Sequence, residues 1–415
     1  MERIRVRGSG PLDGRVKISG AKNSVLKLMA ATVLAEGRFT IRNVPDITDV
    51  RLMADLLRAM GSEVSYADAV LTVDTPADTV PEAPYELVEA MRASIVVLGP
   101  LIARLGRARV SMPGGDDFGQ RPIDWHLDAL RRLGAEFHTE HGYIEGRADR
   151  LRGARIVLEF PSVGATENAL MAAVLAEGTT VIENAAKEPE LADLAAFLNR
   201  MGASVLGAGS STITIDGVPT LHPVDHQVIP DRLEAATYLT ALAIAGGELV
   251  LEDARPEHMD MLMQKLGDMG LRTSAHPDGV WASAPERLRA VDINSLPYPG
   301  VATDYMPLMV AALSVADGAG IATENIFGGR FRYVDELSRM GADIRVEYHY
   351  ALIRGVPRLS GAPVRAHDIR AGAAIVVAAL GADGETVVSD AHHVARGYDR
   401  FVEKLTAIGA DLDAD

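Results

Sequence analysis

The chain has 415 residues, 48% of them apolar but only 5% aromatic, and a formal charge of −16. That length predicts two or more domains with cores of Ala, Val, Leu, Ile and Met, and the acidic balance argues against a nucleic-acid partner. The absence of cysteine excludes disulfides, thiolate metal sites and thiol catalysis.

In chain order, the first informative segment is Ile18-Ser19-Gly20-Ala21-Lys22-Asn23-Ser24, which opens a predicted helix from Val25 to Leu34. A cation at a helix start opposes the helix dipole and wants a reason, so Lys22 reads either as an anion contact or as a solvated lysine. No apolar core follows Met1, and the apolar runs Ile95–Ile102 and Ala371–Leu380 are too short to span a bilayer. The expectation is a cytoplasmic protein with no membrane partner. Met91-Arg92-Ala93-Ser94 places an arginine at the head of an apolar helix, in reach of a cleft or in a salt bridge.

The segment from Pro113 to Pro122 follows, with three glycines, two carboxylates (Asp116, Asp117) and Arg121 between two prolines. Such a loop bends, and charged bending loops serve as lids. Arg121-Pro122-Ile123-Asp124-Trp125-His126 opens the helix that ends at Leu133, with Pro122 at a favourable first position. Pro161-Ser162-Val163-Gly164-Ala165-Thr166-Glu167 opens another, with Ser162 reading as its N-cap. Each helix start offers unpaired N–H groups to a phosphate or diphosphate.

Further on, Pro299 to Tyr305 puts Asp304 at a loop-to-helix junction, as a cap or as a chemical group. Arg370 and Arg396-Gly397-Tyr398 place guanidiniums at two late helix starts. His392-His393 lacks a third ligand at metal-binding spacing, so no metal site is expected. No P-loop, GxGxxG or HExxH pattern is present.

Internal repetition sets the architecture. A helix ending in an apolar-Gly pair recurs at Gly61, Gly134, Gly202, Gly270, Gly341 and Gly409, with gaps of 73, 68, 68, 71 and 68 residues. Each copy reads as a glycine turn, an alternating strand, a loop, an amphipathic helix closed by Gly and a second strand. Several are preceded by an almost wholly apolar helix, such as Glu167–Ala176 or Ala371–Leu380, which implies helices enclosed by sheets. Six βαβ-type units, three per domain, predict two similar α/β domains.

ISGAKNS (18–24), MRAS (91–94), PGGDDFGQRP (113–122), PSVGATEN (161–168), the Asp304 loop and Arg396-Gly397-Tyr398 together resemble, in order and over the whole chain, the enolpyruvyl transferases acting on UDP-N-acetylglucosamine. The resemblance implies an α/β (α+β) fold of two inside-out barrels built from six βαβαββ-type repeats. The first domain is then 22–229 with the lid at 113–122, the second 1–21 plus 230–415, with the active site in the cleft between them. It implies transfer of the enolpyruvyl group of phosphoenolpyruvate to the sugar 3-hydroxyl by addition and elimination of phosphate, the first committed step of peptidoglycan synthesis, with no metal or organic cofactor.

Carried over by residue, the resemblance implies that Lys22, Asn23, Arg121, Arg330, Arg370 and Arg396 bind phosphoenolpyruvate and its phosphate. Asn23, Arg92, Arg121, Pro122, Ile123, Asp124, Trp125, Ser162, Val163, Gly164, Asp304 and Ile326 would hold the UDP-sugar. Asp304 would take the hydroxyl proton, Lys22 would act in the chemistry, and Asp116 stands where most members have a reactive cysteine. The chain departs from the family around the acceptor and lid at Val301, Ala302, Met306, Gly328 and Ala395. A paralogous transferase for another nucleotide acceptor, and a non-catalytic copy, are the alternative readings.

Overall fold

The computed structural model describes residues 1–114 and 123–415. Asp116, Asp117, Arg121 and Pro122 lie outside the described residues. The chain divides into two compact units, one made of Met1–Ser19 and Pro230–Asp415, the other of the described residues between Gly20 and Ile229.

Six four-stranded sheets are present among the described residues, three in each unit. Every sheet has one parallel pair and two antiparallel pairs. In one, Arg155–Val157 runs parallel to Thr179–Glu183, which pairs antiparallel with Thr212–Asp216, and that with Ser204–Leu206. The N-terminal strand Arg3–Arg7 lies between Glu385–Ser389 and the C-terminal strand Asp411–Ala414. Parallel strands need a crossover, and here it is a buried helix: Val163–Ala173 links Arg155–Val157 to Thr179–Glu183, and Ile369–Leu380 links Pro363–Arg365 to Glu385–Ser389.

The inner helices have no polar face because they have no wet side. Ile369–Leu380 is buried along its whole length and packs with Met306–Val315 and Arg232–Ala245 at the centre of its unit. In the other unit, Leu98–Leu105 packs on Val163–Ala173, and Lys22–Ala31 meets the 3-10 turn Arg92–Val97 leading into Leu98–Leu105. The enclosed helices expected from the apolar runs are thus observed.

The outer helices are amphipathic, and all six repeat glycines that follow them have φ between 89° and 113°. A side chain is strained there, so glycine closes each helix and turns the chain into the next strand. After Thr48–Ala59, Gly61 N–H donates to Arg58 O and Ser62 N–H to Leu57 O. Helix limits differ from the sequence reading at the first helix, which begins at Lys22 rather than Val25 and ends at Ala31 in a 3-10 turn, Thr32–Leu34. Ala21 in extended conformation lets the helix start early without a side-chain cap.

Candidate active site

In the unit containing Lys22, the cation at the helix start is explained by a partner. Lys22 Nζ lies 2.9 Å from Asp49 Oδ2, both side chains buried, and Asp49 sits in the first turn of Thr48–Ala59. The solvated-lysine alternative is excluded. One turn on, Lys27 Nζ donates to Asn23 O at 3.0 Å and lies 3.4 Å from Glu167 Oε1. Burial pushes the Glu167 carboxyl up to about 7 against the pull of Lys27, with Glu190 and Glu188 adding to the rise. Asp49, Lys27 and Glu167 were not legible as site residues, because each sits inside an ordinary helical pattern.

Two predicted helix starts are linked by side chains. Trp125 stacks on Phe160, ring centroids 5.6 Å apart and planes 16° apart, joining the start of Asp124–Arg132 to the loop before Ser162. Ser162 is the N-cap of Val163–Ala173, its Oγ accepting from Ala165 N–H. Its carbonyl accepts from Thr166 N–H and Thr166 Oγ1. The remaining first-turn N–H groups, on Val163 and Gly164, have no intrahelical acceptor. Ile123 is buried as the N-cap position of its helix, and Asp124 is exposed.

His126, on the same helix as Trp125, is buried, and its ring packs against Gly164. Burial, then the charges of Arg92 and Lys27, push its pKa down to about 4. Arg92 opens a 3-10 turn, Arg92–Val97, rather than the predicted apolar helix, which starts at Leu98. Met91 is extended, and the tighter turn precedes the α-helix.

In the other unit, Asp304 does not cap a helix; the 3-10 turn Thr303–Tyr305 and helix Met306–Val315 have no side-chain cap. Its carboxylate is instead held between two buried arginines. Arg330 Nη1 lies 2.8 Å from Oδ1 and Arg370 Nε 3.4 Å from Oδ2. Burial works against the charge on Arg370, but Tyr398, Asp304 and Asp231 outweigh it and raise the pKa. For Arg330 burial is likewise outweighed, chiefly by Asp304 and Asp368. The Arg370 guanidinium lies over the Tyr398 ring, 5.2 Å from its centroid, and Tyr398 hydroxyl bonds Thr237 Oγ1 at 2.8 Å. Arg370 Nη1 is buried with no hydrogen-bond partner among the described residues.

Arg370 is at a helix start, as the sequence predicted: it is the second residue of Ile369–Leu380, which the structure shows capped by Asp368. Arg396 is not at a helix start. It follows the single turn His392–Ala395, where Val394 O accepts from Gly397 and Tyr398 N–H and ends the helix. Ile326 sits in a loop pinned by buried Glu324, whose Oε1 accepts from Ile326 N–H, Phe327 N–H and Ser295 Oγ. Glu324 Oε2 accepts from Thr303 Oγ1 at 2.8 Å, so one carboxylate fixes the Ile326 loop to the Asp304 turn. No motif in the sequence singles out Glu324.

The sequence matches the EPSP synthase (3-phosphoshikimate 1-carboxyvinyltransferase) family over residues 6–405. It is 51% identical over 412 residues, 99% of each chain, to the UDP-N-acetylglucosamine 1-carboxyvinyltransferase of Mycobacterium bovis. The same-named proteins of Nocardia farcinica (52% over 414 residues, 98% of this chain and 97% of that one) and Myxococcus xanthus (48% over 415, 99% of each) are similarly related. Among solved structures, the enolpyruvyl transferase NikO from Streptomyces tendae superposes with a TM-score of 0.89 at 29% identity, covering 99% of this chain and 98% of that one. EPSP synthase from Acinetobacter baumannii shares the fold, with a TM-score of 0.76 at 18% identity over 100% and 99% of the chains. With its repeated sheets, enclosed helices and full-length identity, this chain belongs to the EPSP synthase family of enolpyruvyl transferases, on the branch of the UDP-N-acetylglucosamine 1-carboxyvinyltransferases.

Proposed function

We propose that the protein transfers the enolpyruvyl group of phosphoenolpyruvate to the 3-hydroxyl of UDP-N-acetylglucosamine in the cytoplasm, the first committed step of peptidoglycan synthesis. The observation that carries the site assignment is the Asp304 carboxylate held between Arg330 and Arg370, with Arg370 Nη1 buried and without a hydrogen-bond partner among the described residues. A buried donor without an acceptor is costly unless a ligand supplies one, and a guanidinium pair suits the carboxylate and phosphate of phosphoenolpyruvate.

The chemistry follows from that charge balance. Without substrate, Asp304 offsets one of the two guanidinium charges. When an anion takes part of their hydrogen bonding, Asp304 loses stabilisation of its charged form and becomes a better base. It then accepts the proton of the sugar hydroxyl as that oxygen bonds C2 of phosphoenolpyruvate and an acid delivers a proton to C3. Loss of a C3 proton and cleavage of the C2–O bond release phosphate and leave the enolpyruvyl ether. Lys22, Asn23, Arg121 and Arg396 complete phosphoenolpyruvate binding, and Lys22 carries a charge already balanced by Asp49. Arg92, Arg121 to Trp125, Ser162 to Gly164 and Ile326 receive the UDP-sugar, and Asp116 is the acid.

Identity near half to relatives named for UDP-N-acetylglucosamine favours that acceptor over another nucleotide sugar. Phosphate release from phosphoenolpyruvate, assayed against UDP-N-acetylglucosamine, other nucleotide sugars and shikimate 3-phosphate, tests the reading. Turnover is expected with the first alone, and Asp304→Asn is expected to lose about 10²–10⁴-fold in kcat, the range of a general base. Preference for a different acceptor, or release without any acceptor dependence, rejects it.

A further inference from the structure

We propose that Asn168 is a positioning residue for nucleotide-sugar binding: it holds His126 as the neutral tautomer protonated at Nε2, so that this N–H joins those of Val163 and Gly164 around the diphosphate. The inference rests on the reading above that Ser162 to Gly164 receive the UDP-sugar.

The hydrogen-bond chain leaves one assignment. Asn168 is fully buried on Val163–Ala173, one turn past Gly164 and on the same face. Its Oδ1 accepts from Gly99 N–H at 2.8 Å, and a backbone N–H can only donate, so the carboxamide orientation is fixed. Nδ2 donates to Ile95 O at 3.1 Å, and a carbonyl can only accept. The second Nδ2 hydrogen points to His126 Nδ1, 2.9 Å away. That ring nitrogen must accept, so the imidazole hydrogen sits on Nε2. A protonated ring would set one N–H against another.

The other end of the ring faces the helix start. A Cβ on Gly164 would stand 2.7 Å from His126 Cε1 and 3.0 Å from Nε2, so the Nε2 edge lies against the glycine that opens the helix. The cations facing the ring are Arg92, from the 3-10 turn, and Lys27, from Lys22–Ala31, and both disfavour a charged imidazole. Glu167, the buried carboxylate on the Asn168 helix, is paired with Lys27. Burial is the larger effect and the cations add to it, so the ring stays neutral down to about pH 4. The result is a neutral donor whose hydrogen does not move across the working pH range, where an ordinary histidine changes charge near ~6.5.

Asn168→Asp is the discriminating change. A carboxylate can accept from Gly99 N–H but cannot donate to Nδ1, so Nδ1 must carry a proton. The ring becomes imidazolium at low pH, and at high pH the Nδ1–H tautomer turns its Nε2 lone pair toward the phosphate. The ratio of the UDP-N-acetylglucosamine KM in the variant to that in wild type is expected to rise about tenfold from pH 6 to 8.5, the scale of one charge-assisted hydrogen bond. The kcat ratio is expected to stay flat over the same range. A KM ratio that does not change with pH marks a merely structural role and overturns the proposal.

Nitrogen-15 correlation spectra of the wild-type imidazoles, assigned with His126→Gln, give a second measurement that decides alone where Asn168→Asp does not fold. Protonation at Nε2, constant from pH 6 to 8.5 and perturbed by added UDP, is expected. Protonation at Nδ1, titration near neutrality, or no response to UDP overturns the proposal. UDP perturbing this nitrogen in a protein that does not turn over UDP-N-acetylglucosamine rejects the proposed function and leaves the positioning role standing.

Discussion

Lys22 and Asp304 are both charges that would be costly alone, and each is kept by a partner of opposite sign. Lys22 has Asp49 at 2.9 Å, and Asp304 has Arg330 and Arg370. Removing one member of such a buried pair leaves the other uncompensated, which makes these pairs ready to exchange partners with an anionic substrate. Asp116 is a different case, a carboxyl where a thiol is usual in the family that the chain resembles. A thiol with a pKa near ~8.5 donates a proton at neutral pH, while Asp near ~3.9 must be raised by about 2–3 units, costing roughly 3–4 kcal/mol. We expect Asp116→Asn and Asp116→Ala to lose about 10²–10⁴-fold in kcat; near wild-type turnover would sink the assignment. With no cysteine in the chain, an epoxide such as fosfomycin is expected to leave the intact mass unchanged. At this scale the sequence showed the charges that stand out from their surroundings, Lys22, Asp304 and Arg370. The groups that hold the site together were hidden: Asp49 beside Lys22, Glu167 beside Lys27 and Glu324 under the Asp304 turn come from separate elements, and only folding brings them near.

The helix starts show how an element carries a site without a motif of its own. Val163–Ala173 has a conventional Ser N-cap, and what distinguishes it is what packs on its first turn: Phe160 under Trp125, and His126 against Gly164. Gly164 has an ordinary helical backbone, so its requirement is space rather than conformation, and a pattern search for glycine turns does not detect it. Gly164→Ala would put Cβ 2.7 Å from His126 Cε1, and the ring, held at Nδ1 by Asn168, has to shift. The expected result is a modest stability loss, about 1–3 kcal/mol as for other overpacked sites, with a raised KM for the UDP-sugar and nearly unchanged kcat. A denaturant midpoint together with both kinetic constants checks it, and a variant with a wild-type KM would show that the ring does not reach the bound sugar nucleotide. Element limits were legible to within a few residues where a glycine or a cap closed them. They slipped where an uncapped extended residue, such as Ala21 or Met91, preceded the helix.

Across the molecule, the six-fold glycine spacing was visible because positive φ allows few substitutes, and apolar helices without a polar face announced their enclosure. What spacing does not reveal is the titration of groups sealed inside each unit, and this sets a testable pH dependence. Glu167 lies in one unit and Glu234 in the other; burial raises both to about 7, with Lys27 and Lys404 pulling back. For a carboxyl raised in the folded state, the native protein holds a proton that the unfolded chain releases above about pH 4.5. Its contribution to stability is therefore complete below that pH and is lost as pH rises through about 7. His126 has the opposite sign. Lowered to about 4, it refuses a proton that the unfolded chain binds, so its contribution is complete above ~6.5 and is lost as pH falls toward 4. Glu234→Gln and His126→Gln each remove one of these terms. The stability advantage of wild type over Glu234→Gln is expected to shrink between pH 4.5 and 7, and that over His126→Gln to grow between pH 4 and 6.5, each by up to about 3 kcal/mol. Urea unfolding across this range, followed separately for any transition that splits between the two units, measures both. Advantages that move in the same direction, or not at all, would show that these buried groups keep their ordinary ionisation in the folded protein.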